Sequence, residues 1–312
     1  KRQVCTSVLA ENRDIFDRAL LHERRRRLAR RAVERGGGEL PDFLLRHAGE
    51  DVVDRLGMIQ RRFTRAIAIG SYHGVVARAL ETHGVPEVVE VEPVAELAAL
   101  SSGAHTIVAD EEALAFDEGT FDLAVSVLAL QYVNDLPGVL AQIRRLLRPD
   151  GLFVGVLLGG ATLSELRQVM LEAEAAVLGG VSPRVQPFVD VRDAGGLLQR
   201  AGFALPVTDV ERLTVTYPSA LHLMRELKAM GASNVLNERS RVAMRRSVLF
   251  EAARRYSEAF PAEDGQEGRV RATFELLTLT GWAPDESQQK PLKPGSARVR
   301  LADALKTKEQ KL

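Results

Sequence analysis

Gly70, Ser71 and Gly74 lie in a turn between a short apolar run, Arg65–Ile69, and a helical pattern, Val75–His83. Glycines in a strand–turn–helix permit positive φ and let a ligand touch the backbone. The first N–H groups of the helix can then meet an anion. Glu92 closes the next apolar run, residues 87–92. A carboxylate about 20 residues beyond such a turn can accept both hydroxyls of a ribose. Glu90 is the neighbour that could be mistaken for it. Asp110 and Glu111 follow a third run, residues 106–108, and Ser126, Gln131 and Tyr132 lie at or just beyond a fourth, residues 121–128. Polar side chains at the carboxyl ends of strands face a crevice. Simpler readings coexist: a two-glycine turn can be a plain tight connection, and Asp110-Glu111-Glu112 can be a solvated acidic turn.

These residues need a framework. Residues 108–160 read as acidic turn, strand, polar turn, helix at 136–147, tight turn at 148–151 and strand at 152–158. A crossover that short suits a parallel sheet. With the upstream strands, strand–helix alternation predicts an α/β, doubly wound, Rossmann-like sheet with helices on both faces and ligand at the strands' carboxyl ends. Further on come helices at 163–178 and 191–201, a strand at Ala204–Tyr217, and helices at 218–230 and 239–260. A last strand, Val270–Trp282, is rich in β-branched and aromatic residues. The expected organisation is a basic N-terminal helix (1–39), one domain (40–282, with a helical insertion at about 218–260 before the last strand) and a polar, mobile tail (283–312). Residues 1–15 read as frayed. A second helix is expected at 42–58, with Pro41 at its start.

The chain has 312 residues, and its Lys+Arg and Asp+Glu counts are both 42, so its formal charge is zero. That balance removes a global electrostatic case for nucleic acid. The apolar fraction of 46% supplies a sizeable core. A single cysteine, Cys5, excludes an internal disulfide and a multi-cysteine metal site. No run of about 18 uncharged apolar residues could span a bilayer. Six histidines occur, none in a tight ligand pair, so no metal site is expected.

The order ADEE…FDL…VNDLP…LRPDG resembles the second half of a class I S-adenosylmethionine (SAM) methyltransferase domain. That family's nucleotide turn is an acidic residue, an apolar residue, then Gly-x-Gly-x-Gly; here Ala68, Ile69, Gly70, Ser71, Tyr72, His73 and Gly74 stand in those places. The resemblance implies SAM, held by Gly70, Ser71, Gly74, Glu92, Asp110, Glu111 and Ser126, with Asp110 and Glu111 at the adenine. Gln131 and Tyr132 become the candidates for catalytic or substrate contact. Tyr72 places bulk where the cofactor usually lies, and Ala68 removes an acceptor. No Asn-Pro-Pro-Tyr-type tetrapeptide follows the fourth strand, which disfavours DNA or glutamine methylation. Asn134 or Asp135 should cap the following helix.

The strings GGATLSELR, SPRVQPFVDVRDAGGLLQRAGF, VTYPSALHLMRELKAMGASN and LTGWAPDESQQKP resemble a narrower family: mitochondrial complex I assembly factors described as arginine hydroxylases, with bacterial relatives. That resemblance runs from Phe16 to about Val299. It implies a protein that helps build respiratory complex I by hydroxylating an arginine of an iron–sulfur-bearing subunit, its partner. The implied location is the matrix side of the mitochondrial inner membrane, or the cytoplasm in a bacterium. Two alternatives stay open: SAM-dependent methyl transfer to a small-molecule or acyl-carrier substrate, and a non-catalytic chaperone with a degenerate SAM site. The helix bearing Arg18, Arg24, Arg25, Arg26, Arg27, Arg30 and Arg31 is either a solvated face or a docking surface for an acidic partner or anionic lipid. Residues 179–188 and 228–237 are either ordinary loops, the second ended by Gly231, or a lid over a substrate arginine. Trp282 is expected at a core edge.

Overall fold

The computed structural model describes residues 14–34, 40–101, 103, 105–263, 268–289 and 296. In chain order the elements are α1 (Arg18–Glu34), α2 (Phe43–Met58), β1 (Arg65–Ile69), α3 (Val75–His83), β2 (Glu87–Val91), α4 (Ala95–Ala98), β3 (His105–Ile107) and β4 (Phe121–Val127). A 3-10 turn (Leu130–Tyr132) follows, then α5 (Leu136–Leu146), β5 (Leu147–Leu158), α6 (Ser164–Leu178), α7 (Val191–Arg200), β6 (Ala204–Tyr217), α8 (Ala220–Ala229), α9 (Arg246–Ala259) and β7 (Val270–Trp282).

The strands form one sheet in the order β3-β2-β1-β4-β5-β7-β6. The first five are parallel, and β7 runs antiparallel to both β5 and β6. The period-two alternation of a strand divides the core in two. Ala66, Ala68, Leu123, Val125, Leu152 and Val154 face one layer with α2, α3, α6, α8 and α9. Ile67, Ile69, Phe121, Ala124, Phe153 and Leu157 face the other, with α5 and α7. The doubly wound expectation holds, as does the helical insertion, which is α8 and α9 between β6 and β7.

Three local expectations change. Residues 148–151 are not a turn preceding β5. Phe121 pairs with Leu147 and Leu123 with Leu152, so the four residues bulge out of register within the strand, with Asp150 at φ 59. The helix expected from residue 239 starts at Arg246, because Arg239 turns back to Asp17 (2.9 Å) and to the Leu236 carbonyl (2.7 Å). Pro41 lies one residue outside the N-cap of α2, which is Asp42. The expected fraying at residues 1–15 and the mobile tail at 283–312 lie largely outside the described residues.

Candidate functional site

The turn after β1 is built from its own hydrogen bonds. Gly70 and Ser71 donate to the Val91 carbonyl (2.8 and 3.1 Å), Gly74 donates to Ser71 O (3.0 Å), and Tyr72 N–H donates to Glu92 Oε2 (2.8 Å). Gly70, Ser71, Tyr72 and Gly74 thus spend their amides within the turn. Gly70 has φ 69, and a Cβ there would lie 2.2 Å from Ala129 Cβ. Its glycine is required by φ and by the close approach of the chain after β4. Tyr72 adopts φ 58, a left-handed conformation uncommon outside glycine, Asn and Asp. Ala68 points into the apolar layer with α2 and α3, where an acidic side chain would be buried among hydrocarbon.

Glu92 is fully buried and accepts from Tyr72 N–H and from Val94 N–H (3.1 Å). Burial pushes its carboxyl up to about 7, against the pull of the Arg25 charge and the two amides. Glu111, equally inaccessible, is also raised, chiefly by burial. Asp110 is lowered: burial works against this, but Glu112 N–H (2.8 Å) and Arg18 (2.5 Å) outweigh it. Arg18 reaches all three acidic residues of this turn, bonding Asp110, Glu111 and Glu112.

α1 is two-sided: Arg27, Arg30 and Arg31 form an exposed basic face, while other arginines turn inward. Arg18 and Arg25 point inward, and Arg26, Arg27 and Arg30 pair with Glu23 and Glu96. Arg24 donates to the Asn234 carbonyl (2.6 Å). The helix is amphipathic in an unusual sense: its buried stripe is Leu21, Arg25, Ala29 and Ala32.

Beside Arg25 lies a cavity of about 140 Å³. Its walls include Gly70, Tyr72, Gln131 and Tyr132 from the sheet ends, and Leu44, Leu163, Leu166 and Phe274 from the apolar layer. Arg184, Gln186, Phe188, Met230, Gly231 and Asn234 close it from the two glycine-bearing loops. Asn234 Nδ2 ties these loops together through Pro183 O (2.7 Å), and Arg184 is held by buried Glu174. Gly231 has φ 76 and ends α8, so this segment is both a helix terminus and a cavity wall.

Gly70, Gln131 and Tyr132 thus meet in one place, and Gln131 Oε1 is buried without a partner. Glu92, Asp110 and Glu111 stand behind α1 and are not cavity walls. Ser126 is occupied structurally, its Oγ donating to Ile69 O (2.9 Å). Ser71 Oγ is buried and unbonded, and Gly74 serves packing, since a Cβ there would meet Ser101 Oγ at 2.1 Å. Asp135 caps α5 through Gly138 N–H (2.9 Å), whereas Asn134 holds the backbone of Phe16. Trp282 packs partly buried against the core, with Arg61 over its ring. Arg25 was not expected at the site, and Arg184 and Gln186 were expected there only as part of the 179–188 loop. The spacing of Leu21, Arg25, Ala29 and Ala32 is the signal that could have found the first of them.

The acceptors that would hold a nucleoside are present at the ends of β2 and β3, so the donor chemistry suits SAM. With α1 seated, however, those carboxylates are engaged by Arg18 and by backbone amides. The cavity is also well below the roughly 300–1,000 Å³ of ligand clefts. Among the described residues, no three His, Cys, Asp or Glu side chains are grouped to hold a metal. Nor is any described helix long and apolar enough to cross a membrane.

The strand order, the reversed β7 and the turn after β1 define a class I methyltransferase fold. Residues 21–206 match the family described as a methyltransferase domain, and the chain belongs to that family. Among curated proteins it is similar to "Arginine-hydroxylase NDUFAF5, mitochondrial" of Danio rerio, 39% identical over 273 residues, which cover 85% of this chain and 83% of that protein. It is also similar to a malonyl-[acyl-carrier protein] O-methyltransferase of Halorhodospira halophila, 30% identical with 88% and 93% of the two chains covered. Among solved structures, the BH2331 protein of Bacillus halodurans shares the fold at a TM-score of 0.53 and 13% identity, over 75% of this chain and 98% of that one.

Proposed function

We propose that this protein is an arginine hydroxylase acting in the assembly of respiratory complex I, with a complex I subunit as its protein substrate. The observation that carries this reading is similarity along nearly the whole chain, 39% identity over 273 residues, to a protein named as an arginine hydroxylase. At comparable coverage the malonyl-carrier methyltransferase reaches 30%. Inserting one oxygen atom into arginine is a two-electron oxidation. With dioxygen as the source, a donor of two electrons and two protons completes the balance, with water as the second product. Those reactants come from outside the chain; its residues bind, orient and exclude water.

SAM is the cofactor class of the fold, and its chemistry is a sulfonium-activated methyl group. In this chain Gly70, Glu92, Asp110 and Glu111 would hold it once α1 has moved, with Gln131 and Tyr132 toward the substrate. The site stands where the protein would work: the matrix side of the inner membrane in a mitochondrion, the cytoplasm in a bacterium. A second reading, methyl transfer to an acyl-carrier carboxylate, has in its favour the apolar cavity walls Leu44, Leu163, Leu166 and Phe274. The deciding experiment places this chain in a cell deleted for its relative, then weighs the complex I subunits by mass spectrometry. A one-oxygen gain on an arginine, lost again with Gln131→Ala, is the expected result. Restored assembly without that gain removes the hydroxylase and leaves a chaperone. A methylated acyl carrier without restored assembly favours the second reading.

A further inference from the structure

Arg25 is 7% exposed, yet its guanidinium makes no hydrogen bond or ion pair among the described residues. Five N–H donors in such a setting ordinarily fork onto a carboxylate. Here two aromatic faces and a negative field hold them instead. The Arg25 Cζ lies 5.8 Å from the ring centre of Tyr72 and 5.3 Å from that of Tyr132, within the range of a cation–π contact. Glu92 and Glu111 both sense its charge.

Neither ring depends on Arg25 for its position, and neither do the two carboxylates behind them. Glu92 is fixed by Tyr72 N–H and Val94 N–H, and Glu111 by Arg18. Tyr72 is pinned by its left-handed backbone and by its hydroxyl on Met230 O (3.3 Å). Tyr132 packs edge-on against Phe16. Left-handed backbone at a tyrosine is strain of about 1–3 kcal/mol that persists only where surrounding structure enforces it. The element carrying Arg25 is, by contrast, held by ion pairs and hydrogen bonds at its flanks rather than by the sheet core. It packs on two small clusters (one around Phe16, Leu21 and Leu236, one around Ala29, Val94 and Leu97) separate from the two sheet layers.

We propose that the faces of Tyr72 and Tyr132 form a recognition cage for a substrate guanidinium, and that Arg25 occupies it as an internal stand-in which an incoming arginine displaces. The inference rests on the arginine reading above and adds to it the residues that recognise the side chain and the device that keeps them covered. It also gives Tyr72 a role at a position where the family pattern has glycine.

The test uses the full chain and n-butylguanidinium as probe. Arg25→Ala empties the cage while leaving its two aromatic walls. Calorimetry should show this variant binding n-butylguanidinium at least about tenfold more tightly than wild type does, and about tenfold more tightly than it binds n-butylammonium. Trimethylsulfonium is the second arm: if the variant prefers it, the cage serves the cofactor's cation and the proposal falls. A variant with wild-type circular dichroism that binds none of the three cations also overturns it. If Arg25→Ala does not fold, wild type answers through hydrogen exchange. A blocked arginine peptide at saturation should speed exchange of α1 amides, and its lysine counterpart should not; unchanged α1 exchange with both overturns the proposal. Neither readout involves oxygen insertion. Cage binding without hydroxylation therefore counts against the proposed function alone, and hydroxylation without cage binding counts against the cage alone.

Discussion

Glu92 is the residue whose chemistry the fold alters most. Its ordinary value is 4.5, and burial raises it to about 7 in the folded chain. Between those limits the folded state keeps a proton that the unfolded chain has released, so the unfolding free energy falls as pH rises through this window. The stability contributed by the protonated form is complete below the unfolded value and is lost above about 7. The difference is on the order of 3 kcal/mol. Glu92→Gln cannot ionise. One of its two amide acceptors is lost, so the variant should be weaker in acid, yet its urea midpoint should decline less between pH 4.5 and 7 than that of wild type. Parallel declines would mean that Glu92 is ionised throughout. Gly70 is constrained in another way: Gly70→Ala forces a Cβ against Ala129 at positive φ. The expected loss is roughly 2–4 kcal/mol, read by urea unfolding. A change below about 1 kcal/mol would show that the chain after β4 yields easily.

α1 is the element that, on the proposed reading, decides whether the site is open. Its anchor is Arg18 on Asp110, Glu111 and Glu112. Removing one partner of a buried pair is costly because the other charge stays desolvated, and Glu111 is only 2% exposed. Arg18→Ala should therefore lower stability by about 2–3 kcal/mol and release α1 from the carboxylates, and SAM should bind more tightly as the open population grows. Unchanged SAM affinity, measured by calorimetry, would mean that the cofactor enters with α1 in place. Much of this element was legible beforehand, including its helical character and its arginines, because helical periodicity is a local property. Its orientation was not. Which face turns inward depends on three carboxylates about 90 residues downstream, and no local pattern encodes that pairing. The same distinction separates α3 and β7, whose bounds follow from helical spacing in the one and from β-branched and aromatic residues in the other, from residues 239–245, whose helix start is displaced by a long-range bond to Asp17.

At the scale of the whole molecule, the two sheet layers and the seat of α1 differ in kind. β4 is buried along its entire length, and β5 from Gly151 onward, where Leu152 through Leu157 touch both layers. The candidate positions Gly70, Gln131 and Tyr132 converge because parallel strands deliver their carboxyl ends to one edge, which strand–helix alternation made predictable. The cover over that edge comes from the chain's beginning and rests on small clusters. Opening it should expose little apolar surface and leave the sheet intact. Native-state hydrogen exchange in low urea tests this directly. Amides of α1 should exchange through an opening of low free energy with weak urea dependence, because the slope follows the area exposed. Amides of β4 and β5 should exchange only through global unfolding, with a steep slope. If α1 instead joins the sheet on one steep isotherm, it is part of the cooperative core. Withdrawal of α1 would then require unfolding, and neither cofactor entry nor displacement of Arg25 could proceed by that route.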